Sequence, residues 1–271
     1  MRYKLLGRSG VRVAELCLGT MTFGENWGWG ASKQVSEQMF DRYAEAGGNF
    51  IDTSVNYTDG TSETYVGDCI KADRDHFVVA TKYTLTSPAN TDPNRGGNSR
   101  KNMMRSVEQS LRQLQTDYID LLYVHVWDHM TPVEEVLRGL DDLVRMGKVH
   151  YLAFSDTPAW IVAEANTRAE LMGWSRFVGM QLPYSLITRA AERAEIPMAK
   201  HWDMTILPWG ILGSGLLTGK YSSSGSSDPK RMGDRVVTER EQTIIDAVHT
   251  IATQTGRSAS QVAVNWVRQQ N

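Results

Sequence analysis

What most limits how this chain can fold is a pattern that recurs along it. A short apolar run of β type ends in one ionisable residue, and a helical stretch follows before the next run. Asn49–Ile51 lies behind the Gly47-Gly48 break and leads into Asp52; Phe77–Thr81 leads into Lys82; Tyr118–Val124 leads into His125. Runs this short and this apolar read as buried strands, and the segments between them repeat at the helical period. Such alternation is the mark of a parallel sheet covered by helices. When the sheet is a barrel, the carboxyl ends of its strands share one mouth, the face where such barrels keep their active sites. Asp52, Lys82 and His125 are therefore expected together, and Tyr57, in the loop after Asp52, reaches the same mouth.

Taken in order, residues 2–6 and 11–19 read as two strands around the turn Gly7-Arg-Ser-Gly10, a hairpin leading into a first barrel strand, Glu15–Gly19. Thr20–Gly30 is a loop. Ser32 is placed to cap a helix whose apolar face is Val35, Met39, Tyr43 and Ala46. Glu63–Ala72 is a second helix. The polar loop Thr84–Asn98 precedes a helix with Met103, Val107, Leu111 and Leu114 on one stripe. Thr131-Pro-Val-Glu134 has capping-box spacing, with Pro at the first helical position, ahead of Val136, Leu137, Leu140 and Val144. Val149–Phe154 is a strand ending in Ser155-Asp156, and Thr157-Pro158 opens the helix Ala159–Leu171. Phe177–Met180 ends in Gln181 with Tyr184 beyond it. A helix Ala190–Trp202, interrupted by Pro197, leads to the strand Met204–Leu207 and to Pro208-Trp209-Gly210. Ser222–Ser227 reads as a loop tip, so 1–271 is expected to be one domain.

Counting from Glu15 gives seven strands, and the last segments, Glu239–Thr255 and Ser258–Gln269, are both helical. The expected fold is thus α/β, a (β/α)₈ TIM barrel with an N-terminal β-hairpin and its eighth strand absent. A seven-strand sheet cannot close. Either the chain continues beyond Asn271 or something else covers the open edge, for which a homo-oligomer is one solution.

Charge narrows the function. The net charge of −2, with both signs interspersed, gives no reason to expect nucleic acid or an anionic membrane surface as the partner. No apolar run approaches the roughly 18 residues of a membrane span, and the start has no apolar stretch of signal-peptide length, so a cytoplasmic protein is expected. The two cysteines, Cys17 and Cys69, are expected to be buried and reduced. His125, Asp128 and His129 do not make a metal site, because their spacing falls across a strand end and a loop. Gly210–Gly219 lacks the order of a Rossmann fingerprint.

An Asp, a Tyr, a Lys and a His at one mouth suit one kind of chemistry. A phenol is a poor acid at neutral pH, but a neighbouring ammonium stabilises its phenolate. Lys82 supplies that charge, Asp52 keeps it protonated, and His125 hydrogen-bonds a carbonyl oxygen or shares its proton with Tyr57. Such a set protonates an alkoxide as it forms. It lacks a hydride source, which a nicotinamide would supply. Trp27, Trp29 and Trp127 lie in loops at the same mouth and are candidates for lining a substrate pocket.

This ordered set resembles the aldo-keto reductase family, whose catalytic tetrad matches Asp52, Tyr57, Lys82 and His125. The likeness runs from Leu5-Gly-Arg-Ser-Gly10 to Gln269 and includes Leu18-Gly-Thr-Met21, Gly147–Ser155, Gln181 with Pro183-Tyr184, and Gly213–Tyr221. It implies NADP(H)-dependent reduction of a small aldehyde or ketone to an alcohol. It further implies that Tyr184 stacks on the nicotinamide and that Ser155, Asp156 and Gln181 bond its carboxamide. Trp209, Gly210, Leu212, Ser214 and Gly215, with Lys220 and Arg231, would lie along the pyrophosphate. Family members often carry Asn where this chain has Asp156. The family's 2′-phosphate-binding segment has no counterpart up to Asn271, so NADPH preference rests on the resemblance alone. The alternative is a cofactor-binding regulatory or assembly subunit with little turnover.

Overall fold

The computed structural model describes residues 1–87, 90–219 and 236–270. The chain begins with an antiparallel hairpin, β1 (Tyr3–Leu5) and β2 (Arg12–Ala14), in the register Tyr3↔Ala14. Gly7 turns it at φ 52°, and a Cβ there would lie 2.0 Å from the Val178 carbonyl oxygen, so only glycine fits. The run expected as one strand then breaks. β3 is only Leu18–Gly19, because Glu15 to Cys17 leave the sheet.

Six longer strands follow: β4 (Phe50–Asp52), β5 (Val78–Tyr83), β6 (Ile119–Val124), β7 (Val149–Ser155), β8 (Phe177–Pro183) and β9 (Thr205–Trp209). With β3 they make one seven-stranded sheet whose neighbours follow chain order. The pairs from β3 to β7 are all parallel, with Asp52 opposite Ala80 and Lys82 opposite Tyr123. All six residues of β5 are buried, as expected of a strand covered on both faces. The fold is that of a (β/α)₈ barrel, and among the described residues no eighth strand follows β9. None of the described helices is long and apolar enough to cross a membrane.

The residues divide into two compact units, Met1–Met180 with Met198–Thr205, and Gln181–Pro197 with Ile206–Asn271. In the first, α1 (Lys33–Glu45) is capped by the Ser32 hydroxyl, which accepts from the Val35 N–H. Its buried face is not the expected one. Val35 and Met39 are 45% and 43% exposed, while Ser36 and Phe40 turn inward. Phe40 packs with Ile51, Val66, Ile70, Phe77, Val79 and Leu114, so one aromatic ring sets the helix rotation. Then α2 (Thr61–Ile70) starts two residues earlier than read, and α3 (Arg100–Leu114), capped by Ser99, buries the expected stripe of Met103, Val107, Leu111 and Leu114.

The capping box before α4 (Val133–Arg145) does not form. Pro132 is the N-cap, and the Thr131 hydroxyl donates instead to Asp128 Oδ2 at 2.7 Å. A carboxylate is the stronger acceptor, and it also takes the N–H groups of Asn98, Met130 and Thr131. Pro158 likewise caps α5 (Ala159–Met172), with the Thr157 hydroxyl turned back to the Ser155 carbonyl. The expected helix Ala190–Trp202 splits into a short 3₁₀ turn, Ala190–Glu192, and α6 (Glu195–His201).

The second unit is built on α7 (Glu239–Thr255) and α8 (Ala259–Arg268), each opened by a complete capping box, Thr238 with Glu241 and Ser258 with Gln261. Their inner faces meet Leu216 and Leu217 around Ile245, Val248 and Ala263. The tract Ser222–Ser227 lies outside the described residues.

The cysteines differ from expectation. Both are free, but Cys17 is exposed and Cys69 half-buried. Among the described residues β3 has a strand neighbour on one side only.

Glu63 of α2 is fully buried. Its Oε1 accepts from the Thr81 hydroxyl at 2.5 Å. Burial pushes its carboxyl up to about 7. The folded protein therefore keeps a proton that the unfolded chain has already lost above its ordinary value near 4.5. Stability should fall as pH rises from about 5 to 8, and Glu63→Gln should remove about 2–3 kcal/mol of that fall. Urea melts of both proteins at the two pH values test this; parallel losses would refute it.

Candidate active site

The four expected residues meet in the first unit. Asp52 is the last residue of β4, Lys82 the fifth of β5, and His125 directly follows β6. Tyr57 opens a 3₁₀ turn, Tyr57–Gly60, whose Thr58 and Asp59 hold left-handed φ values of 45° and 55°. That strained turn is pinned where Thr58 donates to the Phe23 carbonyl at 2.6 Å and accepts from the Ser62 N–H at 3.0 Å.

Lys82 is fully buried, and its ammonium has three hydrogens for three acceptors. It donates to Asp52 Oδ2 at 2.6 Å, to the Thr53 carbonyl at 2.8 Å and to the Tyr57 hydroxyl at 3.1 Å. The ammonium also lies 4.7 Å from the Tyr57 ring centre. The His125 ring stands edge-on to Tyr57 at 5.8 Å, and its Nδ1 is 3.2 Å from the Ser54 hydroxyl.

Electrostatics follow from burial. Desolvation works against the Lys82 ammonium, but Asp52 and Tyr57 outweigh it and hold the group above its ordinary range, so it is charged. Tyr57 runs against the expectation of a lowered phenol. Burial pushes it up, Lys82 pulls it down, and Asp52 and Asp156 push it up again, with a net rise. Burial and the Lys82 charge lower His125 to about 3, so its imidazole is neutral. The cluster is thus a neutral phenol held by a cation beside a neutral imidazole. It can give a proton to a developing alkoxide and keep the counter-charge in place.

The remaining candidates lie in several places. Ser155 ends β7, buried, and Asp156 follows at φ 39°. In the second unit, Gln181 lies in β8 and Trp209 ends β9. Leu212, Ser214 and Gly215 sit at the 3₁₀ turn Gly213–Thr218. Lys220 and Arg231 lie outside the described residues. Tyr184 is 3% exposed, its hydroxyl donates to Glu192 Oε1 at 2.7 Å, and its ring packs on Trp266 at 5.5 Å. Trp127 is buried against Phe154 and is a packing residue, whereas Trp27 and Trp29 pair with each other at 5.8 Å. Thr53, Ser54 and Asn56 were not singled out from sequence. They act through a carbonyl and two short side chains, and only their place between Asp52 and Tyr57 hinted at it.

Comparison with known proteins decides the family. The model for the Aldo/keto reductase family matches residues 15–271. This chain belongs to that family. A norsolorinic acid reductase of Aspergillus flavus is 40% identical over 97% of this chain and 69% of its own length. An aryl-alcohol dehydrogenase of Pestalotiopsis microspora is 38% identical over 99% and 72%. A relative of Phanerodontia chrysosporium, named aryl-alcohol dehydrogenase [NADP(+)], is 38% identical over 96% and 73%. This aldo/keto reductase is therefore an oxidoreductase that acts on carbonyl groups, and nothing in these relatives favours a regulatory subunit.

The Lys82 contacts have a measurable consequence. Lys82→Met would leave the Asp52 carboxylate without its buried counter-charge, and should cost about 3–5 kcal/mol in unfolding free energy near pH 7. A chemical melt within about 1 kcal/mol of wild type would show that the pair is solvated instead.

Proposed function

We propose that this chain reduces an aldehyde or ketone to its alcohol, and runs the reverse oxidation, with NADP(H), using Tyr57 as the acid. The single observation that carries this is the Lys82 ammonium bonded at once to Asp52 and Tyr57 in a buried setting. A bound nicotinamide supplies the hydride. Tyr57 gives the proton to the oxygen that becomes the hydroxyl. Lys82 stabilises the phenolate left behind, and Asp52 keeps Lys82 charged and aimed. His125, neutral and edge-on to Tyr57, borders the same oxygen.

The second unit has features that suit the cofactor. Gly210, Gly213, Ser214 and Gly215 all hold left-handed φ values, between 55° and 99°. Backbones of that kind turn successive N–H groups toward an anion, as a pyrophosphate requires. Trp209, at the carboxyl end of β9, is 47% exposed, while the ring of Tyr184 is covered by Trp266. Tyr184 and Trp209 are both our candidates for the aromatic surface that the nicotinamide meets. Gln181, Ser155 and Asp156 remain our candidates for the carboxamide, and 1–271 our reading of one barrel domain. The choice of NADP(H) is supported by the relative named for NADP(+).

Tyr57→Phe should lower turnover of an aromatic aldehyde by more than about 100-fold while leaving NADPH affinity within about twofold. NADPH oxidation and fluorescence titration of the same preparations measure the two effects. Turnover near wild type would remove Tyr57 from the mechanism.

A further inference from the structure

We propose that a polar cavity beside the Tyr57 turn is a subsite for a neutral polyhydroxylated group, a glycosyl or polyol appendage carried by the carbonyl compound. This deepens the reductase reading and rests on it only for the carbonyl to which the appendage is attached.

The cavity measures about 280 Å³ and lies between three pieces of the first unit: the turn through Asn56 and Asp59, the loop through Ser87 and Arg95, and the part of α3 that carries Arg105 and Gln109. That volume falls just below the roughly 300 Å³ at which pockets for organic ligands begin, so it has room for one small ring. One of its walls faces the active site. Asn56 Oδ1 accepts from the Ser54 hydroxyl at 2.7 Å, and that hydroxyl lies 3.2 Å from His125 Nδ1. Asn56 thereby keeps the two hydrogens of its amide nitrogen for a ligand.

Charge excludes the simplest occupant. Two guanidinium groups suggest an anion, but both stand 3.8 Å from the same oxygen of Asp92, and Asp59 brings a second carboxylate to the lining. Two cations against two carboxylates leave no net charge, so an ion of either sign gains little by entering. An apolar occupant fares no better, because Val55 and Leu85 are the only apolar side chains among the described lining residues.

What the cavity offers is unspent hydrogen-bonding capacity of both kinds. Among the described residues the side chains of Asp59, Ser87 and Gln109 make no hydrogen bond or ion pair. The 3.8 Å between Arg95 and Asp92 is too long for a hydrogen bond. Arg105 is held in place, its Nη2 donating to Asn102 Oδ1 at 2.9 Å and to the Asn94 carbonyl at 3.3 Å. Asp59 accepts, Arg95 and the Asn56 nitrogen donate, and Ser87 and Gln109 do both. A hydroxyl also does both. Neighbouring hydroxyls on one small ring therefore match this set, whereas a carbonyl or ether oxygen, which only accepts, would leave Asp59 unanswered.

The test pairs two aldehydes of matched reactivity, 4-methoxybenzaldehyde and 4-formylphenyl β-D-glucoside, with NADPH as reductant. Wild type should show a KM for the glucoside several-fold below that for the methoxy compound. Gln109 is half-buried on a helix and Asp59 is exposed in left-handed backbone, so Gln109→Ala and Asp59→Asn suit their places. Each should raise the glucoside KM about fivefold, the worth of one hydrogen bond, and leave the methoxy compound unchanged. Equal KM values in wild type, or variants that move both values alike, overturn the proposal. Binding is read apart from turnover by titrating phenyl β-D-glucoside into ¹⁵N-labelled protein. The side-chain amide signals of Asn56 and Gln109 should shift, and phenyl β-D-glucuronide, with one added negative charge, should bind no tighter. A glucuronide bound more than about tenfold tighter marks an anion site and overturns the proposal as well. Shifts without turnover of either aldehyde uphold the subsite and sink the reductase reading; turnover without shifts does the reverse.

Discussion

The Lys82 ammonium, held without water, is the interaction on which the rest of the site depends. Withdrawing a cation from solvent costs several kcal/mol even after relaxation, and the cost is offset only when each of its hydrogens finds a good acceptor. Here the acceptors come from three different pieces of backbone: the end of β4 through Asp52, the residue after it through the Thr53 carbonyl, and the following turn through Tyr57. If any of them moved, a charge would be left buried and unpaired. That requirement explains why the turn at Tyr57 tolerates left-handed backbone at Thr58, a β-branched residue that ordinarily avoids it.

β5 carries two opposed polar devices. Lys82 points to one face and meets Asp52 and Tyr57, while Thr81, its neighbour, points to the other and meets the buried carboxyl of Glu63. The alternation of a strand makes this possible within two residues. The same burial that drives Glu63 toward its neutral form drives His125 toward its neutral form and raises Tyr57. Lys82 keeps its charge because the Asp52 carboxylate lies 2.6 Å from it. A cation held by a carboxylate beside a neutral phenol and a neutral imidazole is suited to stabilising the phenolate left when a proton passes to a substrate oxygen.

Several elements were readable from the chain because their signals are local. Ser32 and the strand β5 fell where cap chemistry and apolar runs placed them, and the stripe Met103 to Leu114 is buried as its period requires. Other readings failed where another group competed for the same place. Thr131 had the spacing of a capping box, yet the Asp128 carboxylate captured its hydroxyl. Val35 and Met39 had the period of a buried face, yet Phe40 took the core position.

By itself the sequence determined the order of strands and helices and the identities of Asp52, Tyr57, Lys82 and His125, because apolar periodicity and the polar residue that ends each run are properties of neighbouring residues. The tertiary structure alone decided the balance among them. Whether an ammonium lowers a phenol depends on how much water both have lost, and water is removed by residues far apart in the chain. The same holds for Nδ1 of His125, which lies 3.2 Å from the hydroxyl of a serine 71 positions away. Distances of that kind exist only once strands from separate parts of the chain lie side by side.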